Sequence, residues 1–469
     1  MAGIGFVLRR LTRRGDLTGT ISAYFHAIFA SSGPWLLTIF AVWAFFFIGE
    51  FWRLTDMVEE FRTIVLYNFS FSLVLTSPIV MISTRYLADC IFREDVEEAS
   101  SLLIGGLVVQ FFATLPLALF FYFQVVTLSP LLAILSVINF LLISGIWLSM
   151  VFISSLKYYS GITWSFVMGM LLGGVSAYFL TGEFGAEGLT FGFDVGLGFI
   201  LASFIALILT EYPHKITSPF RFLKYLKNYW QVGLAGTFYN LAIWVDKWIM
   251  WFSPERRVLE SGLVTYPEYD ISMFIAYLTI IPALALFLLA EETSFFRTYV
   301  RFYRGVLQHD PLSRIEKNHN KMMQNIMTHG RNLIILQGTI CVITLFTAPG
   351  LLEFLNLNLL QLSIFRFAVV GASFQVMVLV FIILLSYFDN RRDVLIINAV
   401  FFFTNMIFTL ITLQIGFPAY GSGFTLSTVV SFFVAAVIAE RYMRRLPYHT
   451  FITRNIVNAR MQLPQTETA

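Results

Sequence analysis

The chain has 469 residues, of which 58% are hydrophobic, 13% are charged and 51 are phenylalanines. A water-soluble fold has no core large enough for that much apolar surface, so the composition excludes an ordinary soluble protein and indicates one whose solvent is largely lipid. The formal charge of +3 is small. Two widely separated cysteines, Cys90 and Cys341, predict neither a disulfide framework nor a metal site, and no cofactor is expected.

Residues 1–19 combine arginines with an apolar helical face, formed by Ile4, Val7, Leu8 and Leu11. This pattern fits a helix that lies on the inner leaflet and is held by anionic lipid, or a basic anchor that only sets the topology. The hydrophobic run that begins near residue 20 is too long for the core of a signal peptide. We therefore expect it to be a membrane helix of the mature protein.

Long apolar runs predict twelve transmembrane helices, because a spanning helix needs roughly 20 mostly apolar residues. The runs are continuous rather than alternating, which favours helices over the strands of a membrane barrel. Very short links join the third span to the fourth and the fifth to the sixth as tight hairpins. The predicted spans are 20–49, 62–83, 101–125, 129–152, 161–181, 188–210, 230–252, 271–290, 332–355, 362–387, 394–416 and 421–440. The predicted fold class is an all-α polytopic membrane protein.

Lysine and arginine are distributed unequally between the loops on the two sides of these spans. One set of loops and termini carries 25 of them, whereas the opposite set carries only Arg53, Arg256 and Arg257. Cytoplasmic loops of membrane proteins are enriched in basic residues. Both termini are therefore predicted to be cytoplasmic, as an even number of spans requires.

The basic cytoplasmic linker 211–229 divides the spans into two six-helix halves, 20–210 and 230–440, and a cytoplasmic tail follows at 441–469. Six spans in each half give both halves the same topology, and parallel repeats of this kind recur in transporters. The cytoplasmic loop 291–331 is the largest polar segment and mixes aromatic with basic residues at helical spacing. It could lie on the membrane or bind a cytoplasmic partner. Nucleic acid is not expected, because no other feature of a nucleic-acid-binding domain accompanies it.

Few ionisable residues remain inside the predicted spans, and such residues usually face a protein interior or water. Asp194, Asp246, Lys247 and Arg366 all fall roughly 6–9 Å below the predicted outer surface, at 1.5 Å per residue. Adjacent residues on a helix do not face each other, so we expect Lys247 to pair with Asp194, or Asp246 with Arg366. These charges could form a structural ion pair, with Lys247 reaching outward. They could instead form an outer gate that separates to release cargo.

Glycines at four-residue spacing occur in the fifth and sixth predicted spans. The pairs are Gly169 with Gly173, and Gly192 with Gly196, which bracket Asp194. Small residues at this spacing usually allow two helices to approach closely, and we predict that role here.

Aromatic and polar residues cluster in the first and seventh predicted spans. Aromatic faces stack on sugar rings, although Trp and Tyr also gather at membrane interfaces, which is the simpler explanation for Trp248 and Trp251. No nucleotide-binding loop, zinc-protease motif or serine-nucleophile motif is present, so no enzymatic activity is expected. The candidates for the lining of a transport path are Tyr24, His26, Trp35, Tyr239, Asn240 and Trp244.

Three segments together resemble the PelG family: "MAGIGFVLRRL" from residue 1, "SSGPWLLTIF" from residue 31 and "YNLAIWVDKWIMWFSP" from residue 239. The resemblance extends over the whole chain in length, number of spans and order of motifs. PelG is the integral membrane component of the bacterial Pel exopolysaccharide system. The family looks like a branch of the superfamily of multidrug exporters, oligosaccharide-lipid flippases and the peptidoglycan-precursor flippase. The resemblance implies export of an N-acetylgalactosamine-rich polysaccharide across the inner membrane.

The resemblance also implies a set of partners. These are a cytoplasmic PelF-like glycosyltransferase, a PelD-like cyclic-di-GMP receptor and a PelE-like membrane protein. The glycosyltransferase would need a basic cytoplasmic surface, for which the candidates are Arg297, Arg301, Arg304, Lys224 and Lys227. The implied cargo is uncharged, which favours a path lined by aromatic and amide groups and leaves the buried charges for gating.

Two transport mechanisms stay open at this point. The protein could hold a continuous channel for a polymer that synthesis pushes outward, which the expected coupling to the glycosyltransferase favours. It could instead flip a lipid-linked oligosaccharide, driven by protons or sodium through an acid such as Asp194 or Asp246. A non-transporting scaffold for the synthase and an ion-coupled multidrug antiporter are the remaining alternatives.

Overall fold

The structure is a computed structural model. It describes residues 44–448, apart from residues 46, 53–54, 94, 157–158 and 356. The predicted amphipathic segment at 1–19, most of the first predicted span and most of the tail lie outside the described residues.

The described chain is almost entirely helical. Within the described residues, ten helical segments are long and apolar enough to cross a membrane, and each overlaps one of the twelve predicted spans. One of the ten, Pro267–Ala290, consists of α7 and α8 together. The span predicted at 230–252 is also a helix, but it is not among the ten because Asn240, Asp246 and Lys247 lower its hydropathy. The helices are α1 (Thr55–Phe92), α2 (Ala99–Phe120), α3 (Pro130–Leu156), α4 (Tyr159–Phe184), α5 (Ala186–Glu211), α6 (Leu226–Met250), α7 (Pro267–Leu278), α8 (Ile281–Ala290), α9 (Phe296–Leu307), α10 (Leu312–Phe354), α11 (Leu362–Tyr387), α12 (Arg391–Ile415) and α13 (Ser422–Arg444).

The helices form two compact units. The described residues of 32–271 and 394–424 form the first unit, and those of 272–393 and 425–448 form the second. These units do not coincide with the predicted halves, because 394–424 belongs to the first unit and α6 packs along α1. The division of the chain into two six-helix repeats therefore stays a prediction.

In the first unit, α4 and α5 form the closest helix pair. Only Gly185 separates them, with a φ of 57° that favours glycine, so the predicted tight hairpin is confirmed. A Cβ atom on Gly173 would lie 2.7 Å from the carbonyl oxygen of Gly192, and one on Gly169 would lie 2.7 Å from that of Gly196. The two glycine pairs therefore allow the backbones to touch, as predicted.

Loops that were predicted to share one side of the membrane meet within the first unit. On one side, the Thr127 N–H donates to the Ser261 carbonyl at 2.9 Å, and Ser129 donates to Glu187 at 2.7 Å. The loop after α6 carries a hairpin of two short strands, β1 (Arg257–Val258) and β2 (Val264–Thr265), in antiparallel register. These contacts place the links after α2, α4 and α6 at one end of the unit, as an alternating up-and-down topology requires.

In the second unit, the predicted loop 291–331 is mostly helical. A π-helical turn at Glu291–Phe295 leads into α9, and α10 begins at Leu312, some way before the predicted span. With 43 residues, α10 is about 64 Å long at 1.5 Å per residue, roughly twice the thickness of a bilayer core. Its first half therefore extends beyond the lipid, and α9 packs on it through Phe302 and Val306, which are buried.

Candidate functional site

The centre of the candidate site is a fully buried ion pair on α6. Asp246 is 0% exposed and Lys247 is 5% exposed. The Lys247 ammonium lies 3.2 Å from both carboxylate oxygens of Asp246. The prediction that these neighbours point apart is wrong. The flexible lysine side chain turns back along the helix, and its ammonium also donates to the Ile243 carbonyl at 2.8 Å.

Two further helices bind the Asp246 carboxylate. The Tyr269 hydroxyl of α7 donates to Oδ2 at 3.0 Å, and the Asn405 amide of α12 lies 3.4 Å from Oδ1. Asn405 is itself held in place, since its amide donates to the Ala242 carbonyl at 2.8 Å and its oxygen accepts from Thr409 at 3.1 Å. Asp246 therefore joins α6, α7 and α12 through side chains that are all buried.

The Lys247 side chain is enclosed by rings. Its ammonium lies 5.8 Å from the ring centres of Trp244 and Phe424, a distance at which a cation is attracted to an aromatic face. The alternative in which Lys247 reaches outward to the membrane surface is therefore wrong for this structure. The ion pair with its tyrosine, asparagine and aromatic neighbours is referred to below as the α6 charge cluster: Asp246, Lys247, Tyr269, Asn405, Trp244 and Phe424.

Tyr269 and Asn405 are functional candidates that the sequence did not reveal. Asn405 lies in the largely apolar run "FFFTNMIF", whereas Tyr269 lies in the polar segment "PEYDIS" at the start of α7. Buried polar side chains inside membrane helices usually have partners on other helices. That signal was present, but only the tertiary structure shows that both residues bind the same carboxylate.

Asp194 lies in a separate polar network of the first unit. Its Oδ1 accepts from the Asn139 amide at 2.7 Å, and Asn139 accepts from the Asn68 amide at 2.8 Å. Asn68 in turn accepts from the Tyr122 hydroxyl at 2.7 Å. The other carboxylate oxygen, Oδ2, is buried and has no hydrogen-bond partner among the described residues. The predicted pair of Asp194 with Lys247 is therefore wrong.

Arg366 lies in the second unit, in the second turn of α11, and its side chain is exposed. Asp246 has its partners Lys247, Tyr269 and Asn405 within the first unit. The pair of Asp246 with Arg366 and the common layer of the four charges stay predictions. Their roles in gating stay predictions.

The predicted lining residues have mixed outcomes. Tyr24, His26 and Trp35 lie outside the described residues. Tyr239, Asn240 and Trp244 are half-buried on α6. The Asn240 amide reaches α1, where it lies 3.2 Å from the Ser77 hydroxyl and 3.4 Å from the Leu73 carbonyl oxygen. These three residues therefore face protein at least in part, and their contact with cargo stays a prediction.

The predicted docking residues are on the surface. Arg297, Arg301 and Arg304 lie on the exposed side of α9, opposite its buried Phe302 and Val306. Lys224 and Lys227 are also exposed, at the start of α6. Within the described ranges, no group of three or more His, Cys, Asp or Glu residues could hold a metal ion.

The fold resembles solved membrane transporters. An outward-facing MATE-family multidrug transporter of the MOP superfamily matches with a TM-score of 0.64 and 15% identity, over 90% of this chain and 97% of that one. An inward-facing MATE transporter matches with a TM-score of 0.58 and 15% identity, over 90% and 99%. A MOP-superfamily transporter from Pyrococcus furiosus matches with a TM-score of 0.59 and 14% identity, over 90% and 96%. The fold is therefore that of a MOP-type transporter, and the chain is a multi-pass membrane protein.

The family model "PelG: Putative exopolysaccharide Exporter (EPS-E)" matches residues 1–451. The chain belongs to the PelG family, which confirms the resemblance seen in the sequence. A comparison with curated proteins finds no match. Fold and family together support a general role in exopolysaccharide export or flipping.

Proposed function

We propose that this protein exports a Pel-type, N-acetylgalactosamine-rich polysaccharide across the bacterial inner membrane, through twelve transmembrane helices with both termini in the cytoplasm, and that it acts without catalysing a reaction. The observation that carries the proposal is the α6 charge cluster. A fully buried ion pair that joins three membrane helices is costly to form. Membrane proteins keep such groups where a path or a gate needs them.

The cluster is suited to gating because Asp246 and Lys247 are on the same helix. Their charges cancel within α6, so α6 can move as a neutral body. Opening then breaks the hydrogen bonds from Tyr269 and Asn405, each worth about 1.5–3 kcal/mol to a charged acceptor. Separating two buried charges would cost far more. The free energy needed to open the gate is therefore small enough for the transport process to provide.

The cargo suits this arrangement. An N-acetylated polysaccharide is uncharged, so it would not compete for Asp246 or Lys247. We propose that a cytoplasmic glycosyltransferase synthesises the polymer and pushes it outward, in a complex with a PelD-like cyclic-di-GMP receptor and a PelE-like membrane protein. The exposed basic side of α9 supports such a docking role.

The test is the double variant Asp246→Asn with Lys247→Met, with each single variant beside it. Each single variant leaves one buried charge unpaired, which costs about 3–5 kcal/mol and lowers the amount of folded protein. The double variant is neutral and is expected to reach the membrane at the wild-type level. It should export polymer about tenfold faster, because a neutral side chain at position 246 accepts weaker hydrogen bonds from Tyr269 and Asn405, and one bond of this size changes a rate by a factor of ten or more.

The readouts are the amount of protein in the membrane and the amount of secreted polymer. Glu353→Gln is the matched control, because it removes an exposed charge from the membrane helix α10 and should leave export unchanged. If the double variant folds and exports at the wild-type rate, the cluster is only a structural ion pair and the gate proposal is wrong.

A second candidate function is ion-coupled flipping of a lipid-linked oligosaccharide, which Asp194 favours. A buried carboxylate oxygen without a hydrogen bond or a cation near it is expensive as an anion. Such a group binds a proton or a cation, and that binding could drive transport. Transport in proteoliposomes should then stop when the proton and sodium gradients are collapsed, and Asp194→Asn should lose the gradient dependence. Glu211→Gln, at the exposed end of α5, is the control. Transport that continues without gradients would favour the polymer channel.

A further inference from the structure

Two tryptophans of α6 have indole N–H groups without an acceptor. The Nε1 atoms of Trp244 and Trp248 are buried, and neither has a hydrogen-bond partner in the part of the chain that the structure describes. The two residues are four positions apart, so they lie on the same side of the helix. Trp251 differs, because its Nε1 donates to the Asp270 carboxylate at 3.0 Å. Tryptophan N–H groups that are buried usually find a partner, so Trp244 and Trp248 are the exceptions here.

Trp248 also lies in a row of rings between α6 and α1. It stacks on Phe71, with 4.6 Å between ring centres and 12° between planes. Trp251 stacks on Tyr67 in the same way, at 4.5 Å and 9°. This row is referred to below as the aromatic seam: Tyr67, Phe71, Trp248 and Trp251. All its members belong to the first unit.

One end of the aromatic seam is fixed by polar contacts. The Tyr67 hydroxyl donates to the Val264 carbonyl at 2.7 Å, and Trp251 has its bond to Asp270. Tyr67 and Trp251 are 8% and 3% exposed. The other end is formed by Phe71 and Trp248, whose N–H group is unused, and Trp244 lies one turn away on the same side of α6 with a second unused N–H group. The hydrogen-bond donors at one end of the seam therefore have acceptors, whereas those at the other end do not.

A membrane-interface belt does not explain this arrangement. Belt tryptophans place their rings among lipid headgroups, as exposed Trp164 and Trp230 can do. Trp251 is buried, and Trp248 has a ring of α1 against its face. Simple packing does not explain it either, because apolar side chains at 244 and 248 would avoid burying an unpaired donor.

We propose that Phe71, Trp244 and Trp248 form a carbohydrate subsite, in which a neutral pyranose ring of the cargo replaces Phe71 on the face of Trp248 when α1 and α6 separate. This inference rests on the proposed function and names where that cargo binds.

Sugar chemistry fits the unused groups. A pyranose ring presents an apolar C–H face that stacks on an indole, and its hydroxyl or acetamido oxygens can accept from the two N–H groups. Asn240 lies one turn further along the same side of α6 and adds an amide. The Lys247 ammonium lies 5.8 Å from the ring centre of Trp244, but Asp246 balances its charge. The subsite therefore carries no net charge and suits an uncharged sugar chain.

The experiment measures binding of an N-acetylgalactosamine tetrasaccharide to the full-length protein in nanodiscs by titration calorimetry. Trp244→Phe and Trp248→Phe keep a six-membered aromatic ring but remove the N–H donor together with the five-membered ring, and each should weaken binding about threefold to tenfold. Trp248→Leu removes the ring as well and should weaken binding by about tenfold or more. Trp164→Phe, whose ring is 62% exposed, is the control and should bind as the wild type does.

Trp251→Phe distinguishes an effect on sugar binding from an effect on the packing of the seam. It removes a satisfied hydrogen bond, so it should lower the melting temperature while the affinity stays within about twofold of the wild type. If Trp244→Phe and Trp248→Phe bind as tightly as the wild type, the subsite is wrong while carbohydrate export stands. If the wild type itself does not bind the tetrasaccharide, the proposed carbohydrate cargo is wrong as well.

Discussion

At the scale of single residues, Asp246 and Lys247 show how a membrane helix can carry two charges at low cost. The lysine side chain folds back on its neighbour and on the carbonyl of Ile243, so α6 contributes no net charge to the bilayer. A separated pair on two helices would tie those helices together through buried charges. In the pair seen here, Asp246 is linked to α7 and α12 through hydrogen bonds from the uncharged side chains of Tyr269 and Asn405.

Tyr269→Phe tests whether these links oppose opening. Removing the hydroxyl should lower the free energy of unfolding by about 1.5–3 kcal/mol, the value for a hydrogen bond to a charged group. Export should not slow, because the transition to the open state no longer breaks that bond. Thermal unfolding and secreted polymer are the measurements.

Tyr420→Phe is the matched control for Tyr269→Phe. Tyr420 is equally buried and donates to the Glu255 carboxylate at 2.9 Å, but it is not part of the α6 charge cluster. It should lose similar stability, with export unchanged. If Tyr269→Phe exports more slowly than Tyr420→Phe, opening does not require α6 to break the hydrogen bond between Tyr269 and Asp246.

At the scale of elements, the pair α4 and α5 depends on the absence of side chains. Gly173→Ala places a Cβ atom 2.7 Å from the Gly192 carbonyl oxygen and 3.1 Å from the Gly196 Cα atom. Backbone atoms cannot move aside as flexible side chains do, so the variant should lose about 1–3 kcal/mol of stability. Thermal unfolding in detergent is the measurement.

Gly174→Ala is the neighbouring control, because nothing lies within 4 Å of its Cβ position. The substitution should be neutral or stabilising by up to about 1 kcal/mol, since alanine favours helix over glycine. Equal stability of the two variants would mean that the two helices can separate slightly without cost, and that the glycine pairs are not needed for their contact.

At the scale of the whole molecule, α9 and the first half of α10 give the protein a helical surface outside the lipid. The apolar side of α9 is already buried on α10, so α9 does not offer that side to the membrane. Its arginines Arg297, Arg301 and Arg304 are exposed on the opposite side. Deleting the segment would damage the second unit, so substitutions at the surface are the cleaner test.

The triple variant of Arg297, Arg301 and Arg304 to Gln should reduce co-purification of the glycosyltransferase about tenfold, because partner binding to an exposed basic surface depends on charge complementarity. The triple variant of Arg441, Arg444 and Arg445 to Gln is the control. These three are also exposed arginines on the predicted cytoplasmic side, and co-purification should stay normal. Equal yields from the two variants would remove α9 from the docking surface.

The sequence by itself determined the membrane class, the positions of most helices and the family. These properties depend on local composition: a run of apolar residues long enough to span lipid is visible without knowing its neighbours. Glycine spacing likewise predicted the contact of α4 with α5, because small residues at that spacing act through their own helix face. The start of α10 was missed, since residues 312–331 are polar and lie beyond the lipid, where hydropathy gives no signal.

Only the tertiary structure decided which charged and aromatic groups meet. Lys247 was expected to leave Asp246 because adjacent helical residues diverge, yet its long side chain has enough freedom to return. Asp194 and Asp246 have the same chemistry and similar surroundings in the sequence, but one is bonded by Asn139 and the other by Lys247, Tyr269 and Asn405. The partners come from helices far apart in the chain, and helix packing, which residue spacing does not encode, brings them together.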